Sequence, residues 1–335
     1  MATALIASDA SSSTAAPMQV FALGWQKSGS TIMTTLLGHG LNVSYITEAV
    51  ETCCCAGIEC ASTDDGSFAR QQCTDQHRLM GPLWGGDIGR YAAACAAELA
   101  APILKADDMI WQFDDLYRHV RSLPLSAPTA GIQFVFFVRH PFYNIRSLLA
   151  WCAPRPEECR GRVEHWRREG NNNRLFLRIY ADQRDDSIAA EPVTLARAWK
   201  AAANVYLSDP SRFATVMRYE DMLKEPGQSA ASTIEAAYAS WYRRQAGMYP
   251  ETHISWPRIN QTAVRLIRKG LDRRPDDQEG TPHGDYDHTV GAASLFDENV
   301  TDAVMKICSE EMRLLGYTRW GVDAAWRPTL VKAKR

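Results

Sequence analysis

The chain has 335 residues, of which 46% are hydrophobic and 23% charged, a balance that allows one large globular core. Its formal net charge of -2 at pH 7 excludes a strong overall bias towards nucleic acid or an anionic membrane surface. It contains no run of 18 apolar residues, so we expect no membrane span. These totals favour a cytoplasmic protein and leave an organellar or secreted location open.

Composition divides the chain into three ranges. Residues 1–17 are rich in Ala, Ser and Thr and lack the basic and apolar regions of a secretory signal, so we predict a disordered tail. Residues 18–325 are predicted to form a single domain, and residues 326–335 a C-terminal tail. Residues 50–90 are rich in Cys, Gly, Asp and Ser, which predicts an irregular excursion from the core.

The excursion contains five of the nine cysteines: Cys53, Cys54, Cys55, Cys60 and Cys73. They lack the paired short spacings of a zinc site, so we predict no metal. Reduced thiols are expected in the cytoplasm, and a local disulfide stays open for an oxidising compartment.

Apolar runs and helical spacings alternate along the chain. The predicted strands are 19–23, 102–105, 131–138 and 213–217, and the predicted helices are 31–37, 89–100, 111–120, 141–151, 193–207, 228–245 and 299–315. This alternation predicts an α/β fold with a central parallel sheet flanked by helices on both faces. Ligands of such sheets bind beyond the carboxyl ends of the strands, so the loops after Leu23, Lys105, Val138 and Met217 should converge on one site.

The loop after the first strand, Gly24-Trp-Gln-Lys-Ser-Gly-Ser-Thr31, has the composition of a phosphate-binding turn. Gly29 allows close approach of the backbone, and Lys27 supplies a positive charge. Ser28, Ser30 and Thr31 supply hydroxyl donors. Lys27 comes two residues before the second Gly, whereas the Lys of a kinase P-loop directly follows it, which argues against a kinase.

Four further segments follow in order: Arg139-His-Pro141 with Ser147, Arg218-Tyr-Glu-Asp-Met222, Arg268-Lys-Gly270 and Leu315-Gly-Tyr317. Together with Lys27-Ser-Gly-Ser-Thr31 they resemble the motifs of sulfotransferases that use 3′-phosphoadenosine 5′-phosphosulfate (PAPS). The resemblance spans residues 18–318 and implies a P-loop NTPase-like sulfotransferase fold.

The resemblance also implies a role for each matching residue. The loop, including Gln26, would hold the 5′-phosphosulfate of PAPS, the co-substrate that is released as 3′-phosphoadenosine 5′-phosphate (PAP). Arg139 and Ser147 would grip the 3′-phosphate, and Tyr219 would contact the adenine. The Arg268, Lys269 and Gly270 element would close over the 3′-phosphate. One departure is Ile32, which stands where the cytosolic family has a Trp stacked on adenine.

Sulfuryl transfer needs charge neutralisation and a base for the acceptor proton. Lys27 suits the first task, assisted by Lys105. The family places a catalytic His after the strand that ends near Lys105, and this sequence has none there, so Asp107 is the predicted base and Asp108 the second choice. Capping of the next helix also explains both aspartates. His39, His77 and His140 remain alternatives, with a structural or phosphate-facing role expected for His140.

The predicted function is therefore transfer of a sulfuryl group from PAPS to a hydroxyl or amine of a small-molecule acceptor. We expect neither a nucleic-acid partner nor a metal, and a homodimer stays open. Three alternatives remain: a non-catalytic PAP- or PAPS-binding protein, a carbohydrate sulfotransferase and, least favoured, a P-loop kinase.

Overall fold

A five-stranded parallel sheet forms the centre of the protein. The computed structural model describes residues 18–25, 28–43, 45–46, 103–105, 110, 113–125, 127–152, 192–245, 265, 296–319, 321–323 and 325–326. The strands are β1 (Gln19–Gly24), β2 (Tyr45–Ile46), β3 (Ile103–Lys105), β4 (Ile132–Val138) and β5 (Thr215–Arg218), arranged in the order β2-β3-β1-β4-β5. The predictions for residues 1–17, the 50–90 excursion and the helix at 89–100 lie outside the described residues.

Seven α-helices have both ends in the described part of the chain. They are α1 (Ser30–Leu41), α2 (Phe113–Ser122), α3 (Pro141–Cys152), α4 (Pro192–Leu207), α5 (Tyr219–Lys224), α6 (Pro226–Gln245) and α7 (Glu298–Leu314). A small antiparallel hairpin, β6 (Tyr317–Thr318) and β7 (Gly321–Val322), follows α7. None of these helices is long and apolar enough to cross a membrane.

The prediction that the first helix ends at residue 37, before Gly38, is wrong. Helix α1 continues to Leu41 and ends at Asn42, whose left-handed backbone has φ 55. Gly38 and Gly40 are both buried, so the helix continues through two positions where the absence of a side chain permits close packing. A glycine inside a helix costs about 1 kcal/mol relative to alanine, which packing offsets here.

The two faces of the sheet carry separate hydrophobic clusters, because successive side chains of a strand point to opposite faces. Val20 and Ala22 of β1 join the cluster formed with α1 and α6. Phe21 and Leu23 join the cluster formed with α2, α3, α4 and α7. All seven residues of β4 are buried, as expected for a strand covered on both faces. The predicted fold class, a central parallel sheet flanked by helices on both faces, is confirmed.

Candidate functional site

Three of the four predicted loops meet at the carboxyl edge of the sheet. Strand β4 lies between β1 and β5, with Gly24 opposite Phe137 and Val138 opposite Arg218. The residues that follow these strand ends are the Ser28–Gly29 turn, Arg139 and Tyr219. Sheet order therefore brings together three groups that lie far apart along the chain.

The described part of the turn between β1 and α1 ends in a left-handed glycine at the start of the helix. The Ser28 N–H donates to the Trp25 carbonyl over 3.1 Å. Gly29 then adopts a left-handed conformation, φ 85 and ψ 13, and its carbonyl accepts the Met33 N–H to begin α1. Gly29 has no side chain that could cap the helix. The positive end of the α1 dipole lies at this N-terminus and faces the turn.

Ser28 places a buried hydroxyl in this turn. The residue is 2% exposed, and its Oγ has no hydrogen-bond partner among the described residues. Buried polar atoms nearly always have a partner, so an orphaned hydroxyl at a helix N-terminus indicates a place for a ligand atom or water. A small cleft beside it is lined by Trp25, Arg139, Asn144 and Trp199 among others.

Tyr219 lies between this turn and Arg139. A Cβ added to Gly29 would stand 2.2 Å from Tyr219 Cδ2, so the aromatic ring rests directly on the glycine. The same ring also contacts Arg139, whose guanidinium carbon is 4.5 Å from the ring centroid, a cation–π distance. Tyr219 is 8% exposed and Arg139 6%. The ring thus spaces the turn from the guanidinium.

Two more predicted residues lie on the surrounding elements. Ser147 is buried on α3, one turn beyond Tyr143, whose ring centroid is 6.0 Å from the Arg139 guanidinium carbon. Lys105 is buried at the carboxyl end of β3 and pairs with Ala22, so it projects to the face covered by α1.

The residues at the start of α1 also have defined places. Ser30 is buried and Thr31 exposed. Ile32, which stands where the cytosolic family has a Trp, packs against the cluster shared by α1 and α6.

His140 is a structural histidine. Its Nε2 lies 2.8 Å from the Thr318 carbonyl, which can only accept, so Nε2 carries the proton. Its Nδ1 accepts the Phe142 N–H at 3.4 Å. Burial lowers the pKa of His140 to about 4, with the Thr318 bond opposing and the Arg139 charge assisting. Both ring nitrogens are therefore engaged in hydrogen bonds within the fold.

His39 does not reach the site either. It lies in the last turn of α1, nine residues after the first residue of the helix, whereas the turn precedes the helix. At 1.5 Å per residue this separation is about 13 Å. His77 lies outside the described residues, as do Gln26, Lys27, Asp107, Asp108, Arg268, Lys269 and Gly270.

Two residues of the site, Trp199 and Glu220, were not predicted from the sequence as site residues. Trp199 of α4 donates its indole N–H to the Arg139 carbonyl over 2.9 Å. Glu220 accepts the His140 N–H at 2.9 Å and the Tyr317 hydroxyl at 3.0 Å. A position next to Tyr219 is the only sequence indication for Glu220, and nothing in the local sequence indicates Trp199.

Comparison with known proteins gives a narrow result. No family model matches the chain, and no curated protein matches it. Among solved structures, the chain is similar to the sulfotransferase domain from the Synechococcus PCC 7002 olefin synthase, with 10% identity and a TM-score of 0.30. The match covers 78% of this chain and 96% of that one.

Proposed function

We propose that this protein is a PAPS-dependent sulfotransferase that acts on a hydroxyl or amine of a small-molecule acceptor. The observation that carries the proposal is that two candidate anion-binding elements lie side by side at the ends of β1 and β4. One is the Ser28–Gly29 turn at the N-terminus of α1, and the other is buried Arg139 with the N-terminal half of α3.

Two separate anion positions suit a nucleotide with charged groups at both ends of its ribose. Neighbouring strands are about 4.8 Å apart, so groups that follow β1 and β4 can bind two anions of one small molecule. A helix N-terminus with a buried serine hydroxyl suits the 5′-phosphosulfate. A guanidinium held against Tyr219 suits the 3′-phosphate, because its planar donors form paired hydrogen bonds with phosphate oxygens.

The reaction follows from the chemistry of the donor. An acceptor oxygen or nitrogen attacks sulfur as the bond between sulfur and the 5′-phosphate oxygen breaks, and PAP leaves. Lys27, assisted by Lys105, neutralises charge on the leaving phosphate, and Asp107 takes the acceptor proton. We assign Arg268, Lys269 and Gly270 to closure over the 3′-phosphate. The 8% exposure of Tyr219 favours a spacing role for its ring between the turn and the Arg139 guanidinium.

Nucleotide selectivity tests the donor assignment. Calorimetric titration of the wild-type protein should give tighter binding of PAP than of AMP, which lacks the 3′-phosphate. Arg139→Ala should weaken PAP binding by roughly 10- to 100-fold and leave AMP binding nearly unchanged, since a charged hydrogen bond contributes about 1.5–3 kcal/mol. Arg197→Ala, at an exposed position on α4, is the matched control. Equal affinities of the wild-type protein for PAP and AMP would refute the proposal.

Transfer assays test the reaction itself. Radiolabelled PAPS should label an acceptor from a panel of phenols, alcohols, amines and sugars, and chelation of Mg²⁺ should leave the rate unchanged. Lys27→Ala should abolish transfer.

The assignment of the base has its own pair of variants. Asp107→Asn should keep PAP binding and slow transfer by roughly 10²- to 10⁴-fold. Asp108→Asn is its control, and full activity of Asp107→Asn would contradict the assignment. PAP binding without transfer to any acceptor would instead support a non-catalytic nucleotide-binding protein.

A further inference from the structure

We infer that Glu220 and the hairpin β6–β7 are positioning elements that fix Arg139 for the 3′-phosphate, an inference that rests on the function proposed above. The feature that carries it is the peptide unit between Arg139 and His140, which is held from both sides. Neither holding residue was expected at the site from the sequence.

The two hydrogen bonds of this peptide come from different helices. The Arg139 carbonyl accepts the indole N–H of Trp199, on α4, at 2.9 Å. The His140 N–H donates to Glu220 Oε1, on α5, at 2.9 Å. A peptide unit is planar, so fixing both of its polar groups fixes the orientation of the Arg139 main chain. The direction in which its side chain leaves β4 is then also fixed.

The hairpin holds Glu220 and His140 in turn. The Tyr317 hydroxyl donates to the second Glu220 oxygen at 3.0 Å. The His140 Nε2–H donates to the Thr318 carbonyl at 2.8 Å. The adjacent hairpin residues Tyr317 and Thr318 therefore bond to the two residues, Glu220 and His140, that are hydrogen-bonded to each other. These contacts join residues 97 and 178 positions apart.

Arg218 anchors the hairpin to the β5–α5 corner. Its guanidinium donates two hydrogen bonds to the Asp221 carboxylate, at 2.6 and 2.9 Å. It also donates to the Gly316 carbonyl at 2.8 Å and lies 4.4 Å from the Trp326 ring centroid. Trp326, the first residue of the predicted C-terminal tail, thus packs on the domain. These contacts of Arg218 therefore join the β5–α5 corner, which carries Tyr219 and Glu220, to the hairpin.

Charge and positioning make opposite predictions for Glu220. Burial raises the pKa of this carboxyl, and its hydrogen bond with His140 and the nearby Arg139 charge oppose that shift. An ionised Glu220 would offset part of the positive charge that attracts a phosphate. Removal of the carboxylate would therefore tighten PAP binding if charge alone mattered, and weaken it if positioning matters.

The test compares Glu220→Ala, Glu220→Gln and Tyr317→Phe with the wild-type protein. Calorimetry gives the dissociation constants for PAP and AMP. The ratio of the AMP constant to the PAP constant measures recognition of the 3′-phosphate. Glu220→Ala should lower the ratio about tenfold, the effect of losing one hydrogen bond to a charged acceptor. Glu220→Gln keeps an acceptor for the His140 N–H and should retain the ratio within about threefold. Tyr317→Phe should fall between them.

A matched control separates positioning from general loss of stability. Val304→Ala truncates a fully buried side chain of α7 in the hydrophobic core and should lower the melting temperature without changing the ratio. Circular dichroism checks that each variant is folded. Should Glu220→Ala prove unfolded, Glu220→Gln and Tyr317→Phe decide the question.

The outcomes are distinct. An unchanged ratio in Glu220→Ala and Tyr317→Phe, with a wild-type preference for PAP, overturns the inference and leaves the proposed function intact. Tighter PAP binding by both Glu220 variants also overturns it, because charge alone would then act. No PAP preference in the wild-type protein overturns the proposed function and the inference together.

Discussion

Replacing Gly29 with alanine perturbs the turn and the Tyr219 contact at once, and the two effects can be separated. The left-handed backbone at Gly29, φ 85, costs an alanine about 1–2 kcal/mol. The new Cβ would stand 2.2 Å from Tyr219 Cδ2 and 2.5 Å from Cε2, well inside contact distance. Such overpacking typically costs about 1–3 kcal/mol, because the ring or the loop must move. The total expected loss of unfolding free energy is about 2–5 kcal/mol.

The ring has little freedom to move away. Tyr219 is 8% exposed and carries the Arg139 guanidinium on its face at 4.5 Å. A shift of the ring would displace Arg139 as well. Gly29→Ala should therefore also weaken PAP binding, through the displaced Arg139 as well as through the turn itself.

Urea unfolding in a double-mutant cycle measures the two costs. In a Tyr219→Ala background the steric cost disappears, and Gly29→Ala should cost only the backbone part, about 1–2 kcal/mol. Gly321→Ala is the control, since an added Cβ there meets no atom within 4 Å. An equal cost of Gly29→Ala in both backgrounds would refute the contact with Tyr219. A cost below about 0.5 kcal/mol in the wild-type background would refute the left-handed turn.

Two further predictions concern the structure around the site. The pKa of His140 is lowered to about 4 by burial, so the stability given by its neutral ring is complete above pH 6.5 and lost as the pH falls towards 4. At about 1.4 kcal/mol per pH unit the loss approaches about 3 kcal/mol. His140→Gln should reduce the pH dependence of the free energy of unfolding, measured with urea. Because the raised pKa of Glu220 acts in the opposite direction, both proteins should carry Glu220→Gln. An unchanged pH dependence would contradict the neutral buried ring. Arg218→Ala should cost about 1.5–3 kcal/mol because it removes a buried guanidinium that donates to the partly exposed Asp221 carboxylate and to the Gly316 carbonyl, whereas Arg118→Ala, which breaks an exposed pair with Asp115, should cost under about 1 kcal/mol. Similar losses for the two arginine variants would contradict the anchoring role of Arg218.

The main strands were predictable from the sequence because buried parallel strands are continuous apolar runs. Strand β4, Ile132–Val138, was predicted within one residue at its start. The short elements were not predicted because they contain no such apolar run. Helix α5, Tyr219–Lys224, has six residues with charges at three of them, and the hairpin strands have two residues each. Neither is long enough to show a hydrophobic period.

The convergence of the site was predictable, but its internal contacts were not. Parallel strands end at one edge, so Ser28, Arg139 and Tyr219 had to approach one another. Which of them would touch depends on side-chain packing between distant segments. The contact of Tyr219 with Gly29 joins residues 190 positions apart, and no local pattern encodes it.

The segment Arg218-Tyr-Glu-Asp221 shows why a motif indicates more than ligand contacts. Arg218 and Asp221 bond to each other, and Arg218 reaches the carbonyl of Gly316. Glu220 holds the His140 N–H and the Tyr317 hydroxyl. Tyr219 contacts Gly29 in the turn at the start of α1. Three of the four side chains therefore act on the hairpin and the Arg139 main chain, since buried polar groups require partners wherever the chain supplies them. A resemblance at this segment therefore indicates first a similar local structure. It indicates a similar ligand only through Tyr219 and through Arg139, whose main chain this segment holds.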